Sequence, residues 1–255
     1  MSLLKKLAAR IGIGSAEIET VLEKSTYRPG EEVRGTVHVR GGSVEEQIDD
    51  IDLYVMTRFV MVKDDQRIQQ ESTVASFRIV NGFTVLPKEV KSFPFHFILP
   101  LDTPVSMGNC AVWMKTDIDI KNGFDYIQVL PHQWIEKILE AVCQCGFTLR
   151  GADFQLTGAI PSRLPFVQAF QFDPCTTGFT GRLDEVEAVC QLDEQGVEVA
   201  LEIESKAGGV LGVVEEPSNV DERLVRLRLH DTELENDSAQ NLAEKFSCIF
   251  NQHAR

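Results

Sequence analysis

From about residue 15 to residue 125 the apolar positions recur every second residue. Val33, Gly35, Val37 and Val39 alternate with Arg34, Thr36, His38 and Arg40. That period is the mark of a strand with one buried and one wetted face. Tyr27-Arg28-Pro29-Gly30 precede it, with Pro and Gly where a turn uses them. Gly41-Gly42 break the run after it. Ile51, Leu53, Val55, Phe59 and Met61 mark a longer strand. Its other face is also apolar (Tyr54, Met56, Val60, Val62), which predicts cover on both sides. Thr73 to Val80 form a further strand. Phe93, Phe95, Phe97 and Leu99 alternate inward, with Pro94 and Pro100 suited to a sheet edge or a strand end. Val112, Met114, Thr116, Ile118 and Ile120 alternate against Lys115, Asp117 and Asp119. Short strands punctuated by turns predict an antiparallel β-sandwich.

Three segments carry a helical period instead. Residues 2–11 place Leu3, Leu4, Leu7, Ala8 and Ile11 on one stripe, with Lys5, Lys6 and Arg10 off it, and Gly12 and Gly14 stop the run. Residues 131–145 place Trp134, Ile135, Ile138, Leu139 and Val142 on a stripe that Gly146 ends. From about Asp237 to Gln252, Leu242, Ala243, Phe246, Ile249 and Phe250 share a face, with Ser238 or Asp237 as cap. Between the last two, strands resume. Val197, Val199, Leu201 and Ile203 alternate with glutamates, and Val225, Leu227 and Leu229 alternate with Arg226, Arg228 and His230. If these two strands are neighbours, Glu and Arg pair across the solvent face. Gly208-Gly209-Val210-Leu211-Gly212 reads as a loop without a phosphate-binding fingerprint. The change of pattern places a domain boundary near Asp125.

The chain has 255 residues and 43% hydrophobic composition, enough for two domains with cores of their own. Its formal net charge is −14. That excludes the basic footprint nucleic acid demands and disfavours broad contact with anionic lipid. Residues 1–125 hold 15 basic and 18 acidic residues and residues 126–255 hold 10 and 21, leaving −3 and −11. No stretch is apolar enough for a spanning helix, and the N-terminus has no signal-peptide core, so a cytoplasmic location is expected.

No catalytic constellation appears: there is no Gly-x-Ser-x-Gly elbow and no paired-histidine motif. Asp49-Asp50 and Asp64-Asp65 fall in loops, and Asp117-Ile118-Asp119 offers two carboxylates on a strand rather than a calcium loop. Neither a metal nor a cofactor is expected. Of six cysteines only Cys143 and Cys145 are close, and the ordinary reading is small apolar filler near a helix end. The reading against it is a metal- or thiol-dependent small-ligand protein, or enzyme, using this pair and a nearby His. Arg58 stands out as a charge inside an apolar strand, where it is either paired or turned to solvent.

Several segments taken in order resemble one family. They are Leu4-Lys5-Lys6-Leu7 with Ile11-Gly12-Ile13-Gly14, Tyr27 to Val37, Asp52 to Arg58, Phe93-Pro94-Phe95 leading to Leu99-Pro100, Trp113 to Ile120, Asp125-Tyr126-Ile127 with Pro131-His132, and Ile138 to Val142 with Gly146-Phe147. Together they resemble the bacterial sporulation-control protein family (stage-zero sporulation protein M) of the arrestin-like clan, over about residues 1 to 230.

The resemblance implies a mostly β chain of two tandem arrestin-like antiparallel β-sandwich domains. The expected organisation is an N-terminal amphipathic helix over 1–13, sandwiches over 14–125 and 126–235 with one helix near the start of the second, and a C-terminal helix over 236–255. It implies a non-catalytic regulator or adaptor acting through contacts with unidentified proteins, by edge-strand or concave-face capture, with no nucleic acid and no membrane span. A structural role at the cell envelope or division site is the other reading. The family hints at homodimers through the N-terminal domain. For the N-terminal helix three placements are open: packed on its own sandwich, in a dimer contact through Leu3, Leu4, Leu7 and Ile11, or on a membrane surface. Because arrestins keep buried charges near their domain contact, Arg58 is expected in a polar cluster with Asp117 or Asp119.

Overall fold

The computed structural model describes residues 7–11, 16–63, 66–116, 125–158, 160–205 and 224–253. They form two compact units, one of residues 1–106 and 110–130, the other of residues 107–109 and 131–255. The division falls between Leu130 and Pro131, so the expected boundary before residue 126 moves to the end of a strand, Asp125–Val129. That strand is paired with Val112–Thr116, and its hydrogen bonds hold it to the first unit.

In chain order the first unit contains β1 (Leu7–Ile11), β2 (Ala16–Leu22), β3 (Thr26–Tyr27), β4 (Glu32–Arg40), β5 (Glu46–Ile48), β6 (Ile51–Lys63), β7 (Gln66–Val80), β8 (Phe83–Val85), β9 (Val90–Ile98), β10 (Val112–Thr116) and β11 (Asp125–Val129). They form a four-stranded sheet ordered β1-β2-β4-β9, a five-stranded sheet ordered β3-β11-β10-β6-β7, and a small β5-β8 pair. The alternation read from sequence is the alternation of burial on β4, whereas β6 and β10 also bury residues of their other face, Met56 and Trp113. Val33, Val37 and Val39 on β4, Phe95 and Phe97 on β9, Ile51, Leu53, Val55 and Phe59 on β6, and Val112 and Met114 on β10 are all buried. Phe77 of β7 stacks on Phe97 of β9 with ring centroids 3.9 Å apart. Gly35 has to be glycine, because a Cβ there would lie 2.5 Å from the Phe95 ring. The second face of β6 is not covered throughout as expected: Tyr54 and Arg58 are half-exposed and Val60 is exposed.

The N-terminal helix is corrected for the residues described. Leu7 to Ile11 form strand β1, antiparallel to β2 in register from Leu7 opposite Thr20 to Ile11 opposite Ala16. Leu3 and Leu4 lie outside the described residues. A ten-residue helix is marginal by itself, whereas a strand beside an existing sheet satisfies its backbone at once.

The second unit begins with α1 (Gln133–Gln144), capped by the His132 ring, whose Nδ1 accepts from Trp134 N at 3.3 Å. Then come β12 (Phe147–Leu156), β13 (Phe166–Pro174), β14 (Leu183–Asp193), β15 (Gly196–Ser205), β16 (Leu224–His230), α2 (Asp231–Asn236) and α3 (Ala239–His253). The strands form one five-stranded antiparallel sheet in sequence order. This corrects the second expected sandwich: among the described residues, helices rather than a second sheet cover the inner face. Ile135, Ile138, Leu139 and Val142 of α1, and Leu242, Phe246 and Phe250 of α3, are buried. The Phe250 ring meets Phe147 of β12 at 4.7 Å. The stripes on α1 and α3 supply the apolar layer a second sheet would have supplied. Ser238 caps α3, its Oγ accepting from Asn241 N at 3.2 Å. The six-residue α2 has no counterpart among the elements expected from the sequence. The glycine-rich segment at 208–212 lies outside the described residues.

Candidate functional site

Arg58 sits on β6, directly opposite Glu71 of β7. Its Nη2 donates to Glu71 Oε1 at 3.2 Å, and both side chains are 38–39% exposed. The guanidinium carbon lies 5.5 Å from the centroid of the Trp113 ring on β10. Tyr126 of β11 tilts against that ring at 5.9 Å and is itself 47% exposed. The cation is thus spread over an aromatic face and half-wetted, and the desolvation cost expected for a charge inside an apolar strand does not arise. The expected partners Asp117 and Asp119 lie outside the described residues. Sequence reading missed Glu71, which only the hairpin register identifies. Lys63 pairs with Gln66, and every pair from there back to Met56 opposite Thr73 keeps the same register sum, which puts 58 against 71.

β6 and β7 run beyond the neighbouring strands as a two-stranded ribbon. Val60 and Ile68 are exposed at 41% and 42%. On β7, residues 68–71 and 73 are exposed and Ser72 is half-exposed. Near its other end, Arg78 Nε donates to Asp52 Oδ1 at 2.5 Å and Nη1 to Asp50. The acidic pair at 49–50 therefore serves in part as an anchor: Asp50 Oδ1 also accepts from Gly82 N at 2.7 Å. Among the described residues no strand pairs with the outer edge of β7.

Cys145 ends α1 and faces α3. Its thiol donates to Ala243 O at 3.2 Å and accepts from Ser247 Oγ at 3.3 Å. Burial pushes its pKa up, which suppresses the thiolate that metal binding or nucleophilic attack needs. Among the described residues no three His, Cys, Asp or Glu side chains gather as a metal site. Among them, too, no helix is long and apolar enough to cross a membrane. Of the predicted contact residues, Leu7 and Ile11 belong to the edge strand β1.

A family model described as SpoOM protein matches residues 4–207. The chain is 45% identical over 259 residues to the sporulation-control protein Spo0M of Bacillus subtilis (strain 168), covering 100% of both chains. The crystal structure of Spo0M from Bacillus subtilis matches with a TM-score of 0.83 and 42% identity, over 94% of this chain and 100% of that one.

Proposed function

The chain belongs to the SpoOM sporulation-control family, and from that membership we propose that it is a non-catalytic regulatory protein acting in the cytoplasm through contacts with other proteins. The observation that carries this reading is similarity to a sporulation-control protein across the whole of both chains. The two larger sheets of the first unit, antiparallel except for the short β3–β11 pair, are in keeping with an arrestin-like domain. Its uncapped sheet edge supports capture of a partner segment by strand addition, the mode in which main-chain hydrogen bonds supply affinity. The edge strand β1 supports a homodimer through the same unit. The thiol reading is weakened by Cys145, which is tied into the α1–α3 contact rather than presented to a ligand.

The test is replacement of the Bacillus subtilis relative by this chain. Restored sporulation control, with co-purification of shared partners, is the expected result. Failure to restore it in cells that accumulate the folded protein overturns the regulatory reading. A fluorescent fusion fixed at the envelope or division site, instead of diffuse, favours the structural role.

A further inference from the structure

The contact-based reading, on which this inference rests, leaves open which surface receives the partner and what that partner offers. Among the described residues the two larger sheets of the first unit have four edges, β1 and β9 on one and β3 and β7 on the other, and the strands of the small β5-β8 pair have only three residues each. β3 has two residues and β1 five. β9 carries Pro94 at its centre, a residue with no N–H to give. β7 has fifteen residues. Between Ile68 and Thr73 it contains no Lys and no Pro, the residues that ordinarily blunt an edge against pairing. An edge strand leaves the N–H and C=O groups of alternate residues free of its own sheet.

The register fixes what an added strand would meet. One face of the ribbon carries the rows Val60–Gln69, Arg58–Glu71 and Met56–Thr73. The other carries Met61–Ile68, Phe59–Gln70 and Thr57–Ser72. Between Ile68 and Thr73 the incoming strand therefore meets a single charge, Glu71, already flanked on its inner side by Arg58. A base placed next in that row gives Glu71 a second cation, and an acid there sets like charges side by side. On the alternate face it meets apolar Ile68 and uncharged amide and hydroxyl groups. The chain's net charge of −14 acts in the same sense at a distance.

We propose that β7 between Ile68 and Thr73 receives, by strand addition, an extended segment of a partner protein with a Lys or Arg in register with Glu71 and uncharged β-forming residues on either side.

The test uses the full chain and the synthetic peptide Thr-Val-Thr-Val-Lys-Val-Thr-Val-Thr, with a second peptide bearing Glu in place of Lys. Amide hydrogen exchange locates binding, and anisotropy of the labelled peptides ranks it. The expected result is slowed exchange confined to 68–73, the Lys peptide binding roughly fivefold more tightly than the Glu peptide. In Glu71→Lys the order reverses, with unchanged exchange in β2 and β4 reporting an intact fold. Unslowed exchange at saturating peptide, slowing at β1 or β9 instead, or an unreversed order in Glu71→Lys overturns the assignment. So does slowing that appears without peptide and grows with protein concentration as the mass doubles, since the occupant is then a second copy. If native partners bind wild type and Glu71→Lys equally, the contact-based reading stands and the β7 assignment falls. If the peptide results hold but the chain does not restore regulation, the assignment stands and the regulatory reading falls.

Discussion

Gly146 shows how much one backbone angle decides. Its φ of +105° lies in the left-handed region, and its amide closes the end of α1 by donating to Cys143 O at 3.0 Å. A Cβ at this position would stand 2.5 Å from Thr176 Oγ1 and 2.7 Å from its methyl carbon. Gly146→Ala therefore meets strain and crowding together, and we expect a loss of about 1–3 kcal/mol, read as a lower urea midpoint. Gly151→Ala is the control. Nothing lies within 4 Å of its Cβ position, so removing glycine's excess unfolded-state freedom should leave stability level or raise it by about 0.5 kcal/mol. Lys137 gives a second case. From α1 its ammonium donates to Leu234 O and, at 2.8 Å, to Asp237 O, the carbonyls at the end of α2. Lys137→Met keeps the stem and removes the donor, leaving two carbonyls unserved at a half-buried site, for an expected cost of about 1–3 kcal/mol in the same measurement.

At the scale of elements, the joint between α2 and α3 is ionic. Lys245 lies 2.5 Å from Glu233 and 3.1 Å from Asp237, and its hydrogen bond holds each carboxyl below its usual range. A carboxylate depressed in the folded state contributes stability that is complete above the unfolded pKa and is lost as pH falls through the folded one. On the acid side the joint should therefore loosen only below the ordinary carboxylate range, and on the alkaline side only as pH rises through the Lys245 pKa, which its hydrogen bond to Glu233 holds above the usual lysine value. Lys245→Met should lower the melting temperature near neutrality and flatten its fall on acidification, the gain at neutral pH being modest because these groups are wetted. An acid limb as steep in Lys245→Met as in wild type would show that the joint does not titrate. Legibility also varied by element. In the first unit β4, β6, β9, β10 and the later half of β7 were read from alternating apolar residues while β2, β3, β5, β8 and β11 were not, and the stripes of α1 and α3 were plain because they repeat over three turns or more. α2 was not, since six residues with one buried Leu234 give no period to detect. Residues 7–11 misled because Leu7, Ala8 and Ile11 fit a helical stripe, while the register against β2 is a tertiary fact absent from the local pattern. The second sandwich misled because alternation in β15 and β16 reports a buried face without reporting whether a sheet or a helix buries it. At the candidate site, Arg58 was legible as a charge out of place. Its partner Glu71 required the hairpin register, and the open edge of β7 required knowing which strands lie beside it.

At the scale of the whole molecule, charge and register make separable contributions to capture. The net charge of −14 is uneven, with −11 on residues 126–255, and a field of this kind acts on approach more than on the final contact. Glu71 is a single group in the row that an added strand would join, so its effect belongs to the bound state. The two should divide between the rate constants. Replacing the exposed Glu204, Glu235 and Glu244 of the second unit by Gln removes long-range attraction and leaves the edge unchanged. Association of the Lys peptide should then slow about twofold with dissociation unaltered, and raising salt from ~50 to ~300 mM should erase the difference. Glu71→Gln should instead speed dissociation severalfold with little change in association, because it removes the one charge the bound Lys meets. Stopped-flow measurements on the two variants decide the matter. If both change the same rate constant, the acidic second unit and the β7 edge are not acting at different stages. If the triple variant alone weakens binding, capture is by general acidity and the register with Glu71 carries no selectivity.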